Sequence, residues 1–142
     1  MNRSFLKNYL VLLAAGLVLL FSACATTHIP DDLSPAEIIQ RAQEASDHNR
    51  YRVALHYYQT LLERYPFDID IVCAAEYEIA FIHYKQRKYT EARAGLNALL
   101  ERYDSPDQEL LPPQFRRLAH IVLDSITEKE KPRFPFTLFR SN

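Results

Sequence analysis

The sequence predicts an all-α fold: an α-solenoid of about two helix-turn-helix repeats closed by a C-terminal capping helix. Three observations carry this expectation. First, one phrase is written twice. Tyr51, Ala54, Leu61, Leu62, Glu63, Arg64 and Tyr65 return at one constant offset as Tyr89, Ala92, Leu99, Leu100, Glu101, Arg102 and Tyr103. Upstream, Ala42 matches Ala80 under the same offset. A self-match spaced by some tens of residues is the mark of a helical repeat array. Second, the chain holds 2 Gly in 142 residues, which counts against Gly-turned β hairpins and phosphate-binding loops. Third, Leu, Ala, Glu, Arg and Gln are abundant, and these are good helix formers. The length fits one small domain, and a formal net charge of −1 offers no basic field for nucleic acid.

Residues 1–23 read as an export address rather than as fold. Arg3 and Lys7 form a positive start, Tyr9 to Phe21 an apolar run, and Ser22 and Ala23 a small-residue approach to Cys24. The apolar run is short for a membrane span, which needs about 20 residues. Leu20-Phe21-Ser22-Ala23-Cys24 resembles the lipobox of bacterial lipoproteins, with Phe21 where Leu is usual. The resemblance implies cleavage before Cys24, acylation of Cys24, and stable membrane anchoring through several acyl chains. Ala25, rather than Asp, follows Cys24, which in enteric bacteria implies an outer-membrane address facing the periplasm. Loss of Arg3 and Lys7 would take the formal charge from −1 to about −3. A lipid on Cys24 leaves Cys73 as a lone thiol, expected to be a small buried residue.

Residues 24–34 read as the lipidated Cys and a polar tether, with Pro30 and paired Asp31 and Asp32. The helical domain is expected over 35–128. Ser34-Pro35-Ala36-Glu37 opens its first helix as a capping box with Pro at the first position, and Ile38, Ala42 and Ala45 make the apolar stripe to about Asp47. A turn at 47–50 leads to a second helix, Tyr51 to about Arg64, with a wide apolar face and a stop at Pro66. Asp68 and Asp70 suit the cap of a third helix, expected from about Asp70 to Gln86. Tyr89 to Tyr103 is the fourth. Pro112-Pro113 permits a fifth, from about Pro113 to Glu128, whose stripe Phe115, Leu118, Ala119, Val122 and Ile126 covers the open end of the array. Residues 129–142 form a charged exit and a Pro- and Phe-containing tail, with Phe134, Phe136 and Phe139. Lying back on the domain, docking on a partner and disorder are all open for it.

Helix, short turn, helix, Pro resembles the tetratricopeptide repeat. Ala42 takes the small position of the repeat's first helix, Ala54 the first position of its second, Tyr58 the aromatic one and Pro66 the closing Pro. Ile38 stands where Trp or Leu is usual, Asn49 at the turn Gly, and Leu61 at a position usually small. Small residues let the two helices approach closely. In such arrays, residues off the packing stripe of each first helix line a concave groove. The resemblance therefore implies a partner-binding surface at Ile39, Gln43, Ser46 and Asp47, and at Tyr77, Phe81, Tyr84 and Lys85. The three aromatics at helical spacing would grip an extended peptide or a partner helix, or else bury against the fifth helix.

No catalytic set is legible. His28, His48, His56, His83 and His120 fall in no metal-ligand spacing, and there is no nucleophile elbow. Glu63, Arg64, Glu101 and Arg102 recur because the repeat recurs, and read as surface charges at helix ends. A non-enzymatic chain without cofactor or metal is expected.

The phrase from Tyr51 through Ala54, Tyr58, Leu61, Leu62, Arg64, Tyr65, Pro66 and Phe67, followed by Ala75, His83-Tyr84-Lys85, Tyr89 and Ala92, resembles the outer-membrane assembly lipoprotein family BamD. The resemblance covers roughly 35–103. It implies a lipid-anchored periplasmic adaptor whose partners are proteins of the β-barrel assembly machinery. Members carry about five repeats, and this chain has room for two and a cap, so a shortened relative is implied. The competing expectation is a periplasmic binding component for a peptide or hydrophobic ligand, serving a transporter.

Overall fold

The structure is a computed structural model, and it describes residues 28–106 and 108–131. The described residues are helical, with no strand among them. The elements in order are α1 (Pro35–Asp47), α2 (Tyr51–Arg64), α3 (Ile69–Lys85), α4 (Tyr89–Arg102), a 3-10 turn (Gln108–Leu110) and α5 (Pro113–Glu130). Residues 1–23, where an export address is expected, Cys24 and the tail residues 132–142 lie outside the described residues.

α1 and α3 start where the sequence supplies a side-chain partner for orphan amides, and α2, α4 and α5 start without a side-chain cap. At α1 the Ser34 amide donates to Glu37 Oε2 at 2.9 Å, and Ser34 Oγ accepts from the Glu37 amide at 3.4 Å. At α3 the Asp68 carboxylate accepts from the Ile71 amide at 3.2 Å, so the helix begins one residue earlier than expected. The turns closing α1 and α3 are the same motif. Asn49 (φ 57°) and Arg87 (φ 62°) are left-handed. Asn49 N–H bonds Ser46 O and Arg50 N–H bonds Ala45 O; Arg87 N–H bonds Tyr84 O and Lys88 N–H bonds His83 O. These are two Schellman closures, in which a left-handed residue re-satisfies the last carbonyls. Arg at such a position carries a steric cost of about 1 kcal/mol that Gly escapes. Arg87→Gly is therefore expected to raise stability by about 0.5–1 kcal/mol, read as a higher urea midpoint.

Turns of a few residues make consecutive helices antiparallel. Side-chain pairs confirm the directions. Lys85, at the end of α3, donates to Ser46 near the end of α1 (2.6 Å), so α1 and α3 run parallel. Arg93 near the start of α4 pairs with Glu130 at the end of α5 (2.6 Å), so α5 runs against α4. The 48–50 and 86–88 turns and the end of α5 thus share one end of the molecule. The 65–68 and 103–112 connections and the residues leading into α1 share the other.

α3 is the shared wall, packed against α2, α4 and α5. Its Ala75 and Ile82 join a first core with Ile38, Ala42, Ala54, Tyr58 and Leu61. Its Cys73, Tyr77 and Ala80 join a second with Ala92, Leu96, Leu99, Tyr103, Ala119 and Ile126. Packing on several sides is why α3 is apolar around most of its circumference. The small residues behave as steric logic requires: Ala42, Ala54 and Ala92 are fully buried and Ala80 nearly so. α3 and α4 approach closely at Gly95, where an added Cβ would stand 3.0 Å from Ala80 Cβ.

Three expectations need correction. The described part of the tether is not free chain: Ile29 is 5% exposed and Leu33 9%, both inside the first core. The cause is Arg64. Its guanidinium donates to Ile29 O (2.8 Å), Pro30 O (2.9 Å) and Asp31 Oδ1 (2.8 Å), satisfying backbone acceptors that would otherwise need water. Arg64 and Arg102 are accordingly not mere surface charges. Arg102, at the matching place in the second repeat, holds Glu76 of α3 with two bonds (2.6 and 2.8 Å). Finally, α5 continues to Glu130, so Lys129 and Glu130 belong to the domain and not to the exit.

Candidate functional site: the aromatic face of α1, α3 and α5

The residues expected to form a groove divide into three sets. On α3, Tyr77, Phe81 and Tyr84 stand at steps of four and three and form a ladder. Tyr77 stacks on Phe81 (centroids 5.7 Å, 11° apart) and Phe81 on Tyr84 (5.8 Å, 19°). The ladder continues tilted onto Tyr89 of α4 (6.1 Å, 41°). Tyr77 also meets Phe115 of α5 (5.7 Å, 38°) and is only 7% exposed. Of the two placements open in the sequence, Tyr77 takes burial against the fifth helix. Phe81 and Tyr84 remain half-buried, packed against the second core.

Lys85 forms the second set. Its ammonium lies 5.2 Å from the Phe81 ring centroid and 5.6 Å from that of Tyr51, while bonded to Ser46 Oγ. A cation over two ring faces is held by their quadrupoles. From the far side, Lys129 of α5 places its ammonium 5.9 Å from the Tyr84 centroid. Glu78, about two turns before Lys85 on α3, is held above the usual carboxylate range by burial, with Lys85 opposing the rise and Asp47 adding to it. The surface is therefore ring faces bordered by two cations, with a partly desolvated carboxylate behind them.

Ile39 and Gln43 make the third set, and they stand apart from the ladder. Ile39 is half-buried and packs on the first core, and Gln43 is exposed. The structure thus brings Ser46, Phe81, Tyr84 and Lys85 together and leaves Gln43 about one turn and Ile39 about two turns back along α1. Sequence reasoning missed Tyr51 and Lys129 as members. Tyr51 belongs to a second helix of the repeat, and Lys129 lay beyond the expected end of α5.

A separate open recess of about 520 Å³ lies between the N-terminal segment and α2, with His28, Asp31, His56, Glu63 and Arg64 among its walls. Among the described residues no cluster of three or more His, Cys, Asp or Glu could hold a metal ion. Cys73 is fully buried, and burial pushes its thiol up from the ordinary range. No helix of the described residues is long and apolar enough to cross a membrane.

No family model matches the chain, and no solved structure matches it. It is similar to an uncharacterized protein of Treponema pallidum (strain Nichols), 35% identical over 108 residues that make up 73% of this chain and 43% of that protein. The chain therefore spans less than half the length of the curated relative it matches.

Proposed function

We propose that this chain is a lipid-anchored periplasmic adaptor of tetratricopeptide-like architecture, about two repeats and a capping helix, which docks a protein partner on the aromatic face of α3. A role in outer-membrane β-barrel assembly, in the manner of a shortened BamD-like protein, is the reading its repeat phrase favours. The lipobox-like stretch ending at Cys24 supports the anchor, and two helix pairs zipped at small residues support the architecture.

One observation carries the docking function: the half-buried Phe81 and Tyr84 rings stack on one another between the Lys85 and Lys129 ammonium groups. Ring faces give contact area at low entropic cost, and bordering cations add orientation. The reading as a ligand-binding component asks for an enclosed apolar cavity. Among the described residues, the recess beside α2 is open and has Asp31, Glu63 and Arg64 in its walls, which supports the adaptor reading.

The test is affinity purification of the tagged, lipidated chain from native envelopes, with mass spectrometry. A defined envelope protein should be enriched. Phe81→Ala with Lys85→Ala should lower its recovery by at least about tenfold, the loss of one anchor ring and its bordering charge, while circular dichroism and flotation with membranes stay unchanged. Deletion of the gene should lower barrel-protein levels. A double variant that recovers the same proteins in the same amounts would sink the docking face.

A further inference from the structure

We infer that the end of the molecule carrying the 65–68 and 103–112 connections faces the bilayer at close range, and that Phe67 and Leu110 enter its headgroup layer. This rests on the lipid-anchored reading above. The inference begins with Arg64. By holding Ile29, Pro30 and Asp31 against the end of α2, the guanidinium fixes where the N-terminal segment leaves the domain. Ile29 is buried there and stands five positions after Cys24 in the sequence, a chain length of at most about 17–18 Å. An anchor on so short a leash keeps this end, and not the opposite one, near the lipid.

That same end carries the two most exposed large apolar side chains among those described. Phe67 is 99% exposed, in the α2–α3 connection, and Leu110 is 74% exposed, in the 3-10 turn before α5. Antiparallel packing of the helices puts both connections on one end. Neither side chain has a use within the fold: no core contact holds Phe67, and the neighbouring Leu111, not Leu110, joins the second core. Exposed apolar tips on loops next to an anchor suit the lipid interface, where a ring can leave water without a partner protein. The acids beside the tips, Asp68, Asp104 and Glu109, are exposed, and Asp68 caps the start of α3. They keep the penetration shallow and favour zwitterionic over anionic headgroups. With the anchor end down, the 48–50 and 86–88 turns and the Lys85 and Lys129 borders point away from the membrane, towards a partner.

The chain holds no Trp, so single reporters can be placed without background. The full lipidated protein carrying Phe67→Trp is reconstituted into vesicles of phosphatidylethanolamine with ring-quenching dibrominated phosphatidylcholine. Ile121→Trp, at a half-exposed position in the middle of α5, serves as the reference. Trp at 67 should lose most of its emission to the brominated lipid and shift to the blue, and Trp at 121 should keep its emission. Adding Arg64→Ala to the Phe67→Trp chain should return most of the lost emission while the protein still floats with the vesicles. Flotation with no quenching at position 67 overturns this inference and leaves the anchored reading standing. A chain that stays in the soluble fraction overturns both.

Discussion

Tyr103→Ala should cost about 3–5 kcal/mol of unfolding free energy, the range for emptying an aromatic site in a core. Tyr103 is 3% exposed and sits in the second core with Cys73, Leu99, Leu111, Ala119 and Val122. Its hydroxyl donates to Pro112 O at 2.6 Å, tying the end of α4 to the residue that introduces α5. The phenol is pushed up to about 12, mainly by burial and then by the neighbouring Cys73 thiol, so it stays a donor through the working range. Tyr103→Phe separates the two contributions. It keeps the ring and leaves the buried Pro112 carbonyl with only the longer bond from the Phe115 amide (3.4 Å), at about 1 kcal/mol. Urea unfolding followed by circular dichroism reads both. The matching Tyr65 is half-buried, so Tyr65→Ala should cost clearly less. Equal losses at the two positions would show that α5 is not held through Tyr103.

The second large effect is at Gly95. Helix interiors disfavour Gly by about 1 kcal/mol relative to Ala, so its presence in α4 needs a reason. The reason is Ala80, whose Cβ stands 3.0 Å from where a Cβ on Gly95 would be. Gly95→Leu should destabilise by about 2–3 kcal/mol through overpacking, since both backbones are committed to their helices. Gly95→Ala should remain within about 1 kcal/mol of the parent, because the helix-propensity gain opposes the tight contact. The urea midpoint and slope check this. A tolerated Leu would mean that α3 and α4 are free to part there, and the shared-wall description of α3 would fail. The first repeat has Tyr57 at the corresponding place, which shows that the two helix pairs are closed by different side chains despite their common phrase.

Much of the fold was legible because it is written in local chemistry. Ser34 with Glu37, Pro35 and Pro113 at helix starts, and Pro66 after a helix end act within a few residues of themselves, so reading along the chain finds them. The small residues at Ala42, Ala54, Ala80 and Ala92 were legible because duplication marks them. The expected groove was legible only in part. Helical spacing places Tyr77, Phe81 and Tyr84 on one stripe of α3, yet cannot say which of them α5 covers. That depends on where Phe115 and Lys129 arrive, more than thirty residues later.

The sequence by itself determined the helical class, the helix ends to within a residue or two, and the pairing of helices into two similar units. These follow from hydrogen-bond capping and from the period at which apolar side chains recur, both of which are short-range. Only the tertiary structure decided that Arg64 seizes the carbonyls of Ile29 and Pro30, that Gly95 meets Ala80 where a Cβ would crowd it, and that Tyr77 is buried in the second core while Phe81 and Tyr84 are half-buried at its edge. Each of these is a meeting of groups far apart along the chain. A guanidinium reads the same in sequence whether its acceptors are water or a distant backbone, and packing alone tells the two apart.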